Sequence, residues 1–478
     1  MSTTVTTVRG PVRGERRADG SLRFLGIPYA RPPVGDLRFA APVPPEPWTE
    51  PLDATAYGPT AQRRPFAEVT TVPEPSVPGA GVLNLNVFTP AADPGAALPV
   101  LVWIHGGGYV AGSAASPWYD GAAFNRDGVV LVSLGYRLGI EGFLHLEDAP
   151  DNRGVLDWIA ALEWVRDNIA AFGGDPAKVT VAGQSAGGGA VQTLLAVPRA
   201  KGLFRGALSV SGALPSPDGP EVARAASRLL TARTGLPATA AALRDLGDDE
   251  ILALQDRLSE PGPDRAGLPP MLSLAPFADG ELIPEPAQEA LTGGAAGDEV
   301  PLMLGFTADE FSMVPGPDGL PVEAVLGALG LDPARTGAFT EAYADTAPER
   351  LFGRALTDVM FRAPSLALAE ARAGRGRPTW LYEFAWRSPE SGLAFHCLDL
   401  PFAFDLLDAE GVRAVAGDAP PRALADAVHR AWVAFVTHQD PGADWPRYTT
   451  EDRATRIWDA EPRTAHDPLG PVRALWLD

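Results

Sequence analysis

The sequence predicts an α/β fold built on a doubly wound, mostly parallel central sheet with helices on both faces. Three observations carry this expectation. Strand-like apolar runs recur along the 478 residues with helical stretches between them. Several of these runs are continuous rather than alternating, as in strands covered on both faces. Residues 152–182 contain one complete helix-to-strand unit.

Taken in chain order, Val8 to Val12 and Leu22 to Ile27 are expected to form a short antiparallel start. Asn84 to Phe88, Val100 to Ile104 and Val129 to Leu134 follow as strands, then Val179 to Ala182, Ala207 to Val210, Val300 to Gly305 and Trp380 to Trp386. In the segment before Val179, the apolar residues Val155, Ile159, Leu162, Val165 and Ile169 recur at three and four and line one helix face. Gly173 and Gly174 supply a left-handed cap and Pro176 prevents the helix from continuing. Residues 62 to 80 read as a Pro-rich loop. Two stretches break the rhythm, about 215–275 and 312–375. Both have helical periodicity and are expected to be insertions over the carboxyl edge of the sheet, where ligands bind. With no clean linker between them, residues 1–478 are expected to form a single domain.

Composition narrows the function. With 46% hydrophobic and 21% charged residues the chain reads as globular. No stretch matches the roughly 18 or more apolar residues of a membrane span, and the N-terminus lacks the apolar core of a signal peptide. A cytoplasmic protein is expected. The net charge of −21 disfavours nucleic acid and anionic membranes as partners. The single cysteine, Cys397, excludes an internal disulfide, and the six scattered histidines suggest no metal site.

The chemistry is concentrated in VTVAGQSAGGGAV, residues 179–191. An apolar strand stops at Gly183-Gln184-Ser185-Ala186-Gly187 and a small-residue helix begins. The glycines relieve crowding at a tight strand-to-helix turn and leave Ser185 at its apex, in front of a helix N-terminus. This is the context of a nucleophile elbow. A serine nucleophile needs a base and donors for the oxyanion. Gly106, Gly107 and Gly108, following the strand VLVWI, are candidate donors because no side chain blocks their amides. A phosphate loop is disfavoured, since neither G-x-x-x-x-G-K-[ST] nor G-x-G-x-x-G occurs there. Among the histidines, His105 and His145 precede the serine, which fits poorly with the order nucleophile, acid, histidine. His429 and His438 lie in a helical run and His466 in a polar C-terminal tail. His396 follows the strand WLYEFAW and is the best-placed base.

The chain resembles the type B carboxylesterases, similar to bacterial p-nitrobenzyl esterases and cholinesterase-fold enzymes. The resemblance runs through FLGIPYARPPVGDLRF (24–39), LNVFTP (85–90), WIHGGGYVAGS (103–113), YRLGIEGFL (136–144), residues 152–188, PFADGELIP (276–284), VPLMLGFTADE (300–310) and AFHCLDLPFAF (394–404). It implies an α/β-hydrolase fold and a serine carboxylic-ester hydrolase that works through an acyl-enzyme, without a cofactor or metal, on a small-molecule ester with a short-to-medium acyl or an aryl group. The site residues it implies are Ser185 as nucleophile, His396 as base, Glu310 as the acid, and the amides of Gly107, Gly108 and Ala186 as the oxyanion hole. Asp309, beside Glu310, is the fallback acid. Ser211 matches a family serine near the triad. It is expected either to bond there or to be an ordinary strand-end serine.

Some positions depart from the family. Gln184 stands where a glutamate is usual, and an amide does not raise the pKa of a nearby imidazole as a carboxylate does. Asp399 stands for a glutamate. The family's acidic pair and cysteine before LNVF are absent. The loop preceding them carries only Phe66 as an aromatic, so a choline-binding cage is not expected. Tyr109, Trp118 and Phe143 are candidate pocket walls, and each reads equally as buried core. A related acyl hydrolase acting on a carbamate, amide, lactone or polyester fragment is the alternative, and a non-catalytic binding protein a distant one. The sequence does not choose between a monomer and a homodimer.

Overall fold

The computed structural model describes residues 2–65, 70–214, 219–265, 268, 272–317 and 320–477. Phe66 lies outside the described residues, as do parts of the Pro-rich loop and of both expected insertions.

Thirteen strands among the described residues form one sheet. They are β1 (Ser2–Thr6), β2 (Pro11–Arg16), β3 (Leu22–Pro28), β4 (Leu52–Asp53), β5 (Asn84–Thr89), β6 (Leu98–Ile104), β7 (Val130–Leu134), β8 (Gly174–Gln184), β9 (Gly206–Val210), β10 (Leu302–Thr307), β11 (Thr379–Phe384), β12 (Ala454–Trp458) and β13 (Arg463–His466). Across the sheet the order is β1-β2-β3-β5-β7-β6-β8-β9-β10-β11-β12-β13, with β4 paired to β2. The span from β7 to β12 is parallel throughout, and the two flanks are antiparallel. The expected mostly parallel sheet is therefore present, together with the α/β-hydrolase arrangement of helices on both faces.

The continuous apolar runs are explained by burial on both sides. In β6, Val100, Val102 and Ile104 face one core cluster while Leu101 and Trp103 face the other, as the alternation of a strand requires. The helix Arg153–Asn168 packs Val155, Ile159, Leu162 and Val165 into the first cluster. The helix Arg422–His438 packs Val428, Trp432 and Phe435 into the second. The Gly173 cap adopts the left-handed conformation, with φ 87°.

Three expectations need correction. The antiparallel start holds for Leu22 to Ile27, which lies in β3 paired with β2, but Val8 to Val12 is not one strand. Val8 is exposed in a turn closed by Thr7 N–H donating to Gly10 O at 3.0 Å, and β1 and β2 lie on either side of it. The Gly10-Pro11 step turns the chain inside a pattern that otherwise reads as a strand. The C-terminal segment holding His466 is not a tail. His466 ends β13, paired antiparallel with β12, and its Nδ1 lies 2.7 Å from Asp452. The strand Trp380 to Trp386 ends at Phe384, and Trp386 lies beyond it. The regions expected to be helical contain the helices Pro220–Thr234 and Asp248–Ser259, and Pro333–Ala342 and Ala363–Gly374.

One buried ion pair ties the sheet to the helix Arg153–Asn168. Arg137, just beyond β7, donates from Nε and Nη2 to the two oxygens of Asp157 at 2.9 and 2.7 Å. Its Nη1 donates to the carbonyls of Arg38 and Ala40. Both side chains are essentially inaccessible, at 1% and 0%. Removing one partner leaves a desolvated charge unmatched. Asp157→Asn is therefore expected to destabilise the fold by about 3–5 kcal/mol, measured as a lowered urea midpoint. An unchanged midpoint would show that the pair carries no net stability.

Candidate active site

The sheet delivers its functional side chains at one edge. Gly106 to Gly108 follow β6, Ser185 follows β8, Ser211 follows β9, Glu310 follows β10 and His396 follows β11. All are carboxyl ends of parallel strands, where an open α/β sheet forms its binding crevice.

At the turn after β8, Ser185 adopts φ 57° and ψ −121°. A β-substituted residue rarely takes such a conformation, and it carries about 1–3 kcal/mol of strain. Its neighbours explain why it persists. A Cβ on Gly187 would lie 2.0 Å from the Ile104 carbonyl oxygen, and one on Gly183 2.3 Å from the Gly187 oxygen. Only glycine lets the helix Ala186–Ala196 start this close to β6. The Ser185 amide donates to Val210 O at 2.9 Å, and its carbonyl accepts from Gly189 and Ala213. Backbone bonds thus pin the apex on both sides. Ala186 is the first residue of the helix, and first-turn amides have no intrahelical acceptor.

The glycine loop after β6 stands opposite. Gly107 has φ 111°, and a Cβ there would lie 2.2 Å from Ala111 O. His105 holds the base of this loop. Its Nδ1 lies 2.8 Å from Gly106 O and its ring stacks on Tyr136 at 4.5 Å. Burial pushes its pKa down to about 4, so the ring stays neutral and donates to that carbonyl.

Glu310 is fully buried and made single-minded by its bonds. Its Oε1 accepts from Ser211 Oγ at 2.6 Å and from the Thr307 amide at 2.7 Å. Its Oε2 bonds to His396 Nδ1. Of the two readings for Ser211, the structure shows the one that bonds to Glu310. Asp309 points elsewhere. Its Oδ2 accepts from the Ala394 amide at 3.0 Å, and its carboxylate pairs with Arg387 and Arg354. At the other ring nitrogen of His396, Gln184 Nε2 approaches to 3.1 Å. The amide donates there to Nε2, which leaves the proton on Nδ1 facing Glu310. Burial by itself pushes the imidazolium pKa down. The Cys397 sulfur and the Glu310 carboxylate outweigh it and hold the pKa above the ordinary value. The rings of Phe311 and Phe361, 5.0 Å from each other, pack against the imidazole at 5.0 and 5.1 Å.

Ser185, His396, Glu310, Gly107 and Gly108 line one cavity of about 300 Å³. Ala186 lies buried directly behind it. The remaining walls are mainly apolar, including Leu272, Met313, Val314, Met360 and Phe361. The proposed walls Tyr109, Trp118 and Phe143 do not line it. All three are core residues: Tyr109 packs on Phe143 at 5.3 Å, and Trp118 donates its indole N–H to Glu410 O at 2.7 Å. Tyr119, one residue on, does face the cavity. Its aromatic neighbour gives the same sequence signal, so only the turn at Pro117–Tyr119 decides which ring faces in. No group of acidic, histidine or cysteine side chains among the described residues could hold a metal ion. No described helix is long and apolar enough to cross a membrane.

The sequence pattern of the carboxylesterase family matches residues 1–316 and 340–469. The para-nitrobenzyl esterase of Bacillus subtilis (strain 168) is 38% identical, covering 98% of this chain and 97% of its own. The phenmedipham hydrolase of Pseudarthrobacter oxydans is 34% identical, with 92% of each chain covered. A solved structure of PNB esterase superimposes with a TM-score of 0.87 at 34% identity over the whole of both chains. The chain belongs to the carboxylesterase family. It is a serine hydrolase that acts on esters.

Two pH effects follow. In Gln184→Glu a carboxylate replaces the amide 3.1 Å from His396 Nε2. It stabilises the imidazolium, so the acid limb of the pH–rate profile moves to higher pH, by about one unit. Coincident profiles for the two proteins would refute this. The second concerns Asp399. Burial, and then the nearby Glu310 carboxylate, push its carboxyl up to about 7. Its Oδ2 accepts from Tyr382 OH at 3.1 Å, while Oδ1 has no partner among the described residues. The folded protein therefore retains this proton from the ordinary carboxyl range up to about pH 7. Over that window the folded state binds more protons than the unfolded one, so stability falls as pH rises. Asp399→Asn removes the titration. Its thermal midpoint should exceed wild type by roughly 2 °C more at pH 8 than at pH 5. An equal offset at both pH values would exclude this titration.

Proposed function

We propose that Ser185 is the nucleophile, His396 the general base and acid, and Glu310 the carboxylate that orients the imidazole. The amides of Gly107, Gly108 and Ala186 form the oxyanion hole. The carrying observation is the chain of contacts from Ser211 and Thr307 through Glu310 to His396 Nδ1, ending in the cavity that Ser185 also lines. Glu310 keeps the proton on Nδ1, and Nε2, which receives the Gln184 amide in the resting site, accepts from Ser185 once that amide gives way. His396 takes the Ser185 proton as Oγ attacks the ester carbonyl, and the three amides receive the developing negative charge. His396 then protonates the leaving alkoxide. Water attacks the acyl-enzyme by the same route and releases the acid.

The substrates are esters with a short-to-medium acyl or an aryl group, a reading supported by the apolar walls and the cavity volume of about 300 Å³. A second reading uses the same groups on a carbamate, amide, lactone or polyester fragment. It draws support from the likeness to a protein named for phenmedipham hydrolysis. Residues 1–478 are read as one domain, supported by a sheet whose strands run from Ser2 to His466. A cytoplasmic location belongs to the same proposal, on the strength of a lone cysteine in 478 residues.

The test is hydrolysis of p-nitrophenyl acetate, butyrate and octanoate by wild type and by Ser185→Ala. The variant is expected to lose kcat by roughly three orders of magnitude or more, with butyrate preferred over octanoate by wild type. Retention of most of the activity in Ser185→Ala would overturn the assignment.

A further inference from the structure

Residues 351–374 form one helical run with an irregular centre. The helix Leu351–Thr357 passes into a π-helical turn, Asp358–Arg362, before the helix Ala363–Gly374. In the turn, Ala363 N–H donates to the Asp358 carbonyl, five residues back. Single π-turns inside α-helices are rare and gather at functional sites.

The sequence supplies a cause. Pro364 has no amide hydrogen, and in an unbroken α-helix its ring would collide with the carbonyl of Met360, four residues earlier. Widening the helix by one residue avoids the collision. The extra residue also rotates what precedes it, and Met360 and Phe361 come to line the cavity. Phe361, fully buried, sets its ring 5.1 Å from the His396 imidazole and 5.0 Å from Phe311, which itself lies 5.0 Å from the imidazole, so the three rings pack as a triangle.

The turn is anchored from outside the site. Asp358 is fully buried and accepts from Tyr343 OH at 2.6 Å, from Arg362 Nη1 at 3.0 Å and from the Trp476 indole N–H at 3.2 Å. Glu310 restrains the imidazole only along the Nδ1 direction. With Gln184 on Nε2, the ring can still rotate about the axis through its two nitrogens, and rotation toward Phe311 and Phe361 is what this pair, packed on each other at 5.0 Å against the imidazole, opposes.

We propose that Phe361, carried into place by the π-turn that Pro364 imposes, is a positioning residue that fixes the tilt of His396. This rests on the hydrolase reading above. The π-turn sets the plane in which Nε2 meets the Ser185 hydroxyl, and the anchored Asp358 keeps the turn from relaxing to a regular helix.

The experiment measures kcat and KM for p-nitrophenyl acetate, a substrate too small to need the outer walls, with thermal midpoints recorded for each variant. Phe361→Leu keeps an apolar side chain and loses the ring. Its kcat is expected to fall about tenfold with KM within about twofold, the signature of a misplaced base rather than a lost binding wall. Phe361→Tyr restores the ring and is expected to recover kcat to within about threefold. Pro364→Ala removes the reason for the π-turn and should lower kcat in the same direction as Phe361→Leu. A Phe361→Leu enzyme with unchanged kcat and raised KM would make Phe361 a binding wall and overturn the proposal. So would a fall in kcat that Phe361→Tyr does not recover. Pro364→Ala equal to wild type would overturn the role of the π-turn. If Ser185→Ala retains wild-type turnover in the same assay, the hydrolase reading itself fails and this inference falls with it, an outcome read independently of the Phe361 variants.

Discussion

The approach of the helix Ala186–Ala196 to strand β6 is the constraint on which the site depends. A Cβ at Gly187 would lie 2.0 Å from the Ile104 carbonyl oxygen, so the two elements touch through bare backbone. That contact forces the chain to reverse between Gln184 and Ala186 and leaves Ser185 no relaxed conformation. It also fixes the distance between the glycine loop after β6 and the serine after β8, because both loops leave from the same contact. The strain of a left-handed serine, about 1–3 kcal/mol, is held by the backbone bonds of Ser185 to Val210, Gly189 and Ala213.

Around that fixed point the polar groups are organised by having few choices. Glu310 has both oxygens engaged, one by Ser211 and Thr307 and the other by His396. Its neighbour Asp309 is equally committed, to Ala394 and two arginines. Adjacent carboxylates therefore serve different structures. Both lie in the turn after β10, and their separate hydrogen bonds, not strand alternation, send only Glu310 to the histidine.

The sheet was legible because its central strands are buried on both faces and so appear as uninterrupted apolar runs. The edges were not. The segments Ser2–Thr6 and Arg463–His466 have mixed polarity because they run along the two sheet margins, while Ala454–Trp458 is almost wholly buried but is only five residues long and contains Thr455 and Arg456. Ser185 and His396 could be named as candidates from local motif and chain order, whereas Glu310 was separated from Asp309 only by the family resemblance. The residues around them carry no such mark. Phe361 and Met360 sit in an apolar helical stretch that reads as ordinary core, and only the π-turn turns them toward the cavity. Tyr109, Trp118 and Phe143 erred in the opposite sense, since aromatic residues near a motif serve packing as readily as binding. Gln184 was visible as a departure, while its contact with Nε2 of His396 needed the fold to bring residues 184 and 396 together.

The Trp476 indole reaches Asp358 at 3.2 Å from the helix Gly470–Trp476. A segment remote in sequence from the cavity thus props the wall behind the imidazole. If Phe361 positions the imidazole as proposed, a change at that helix reaches turnover through the π-turn without touching substrate.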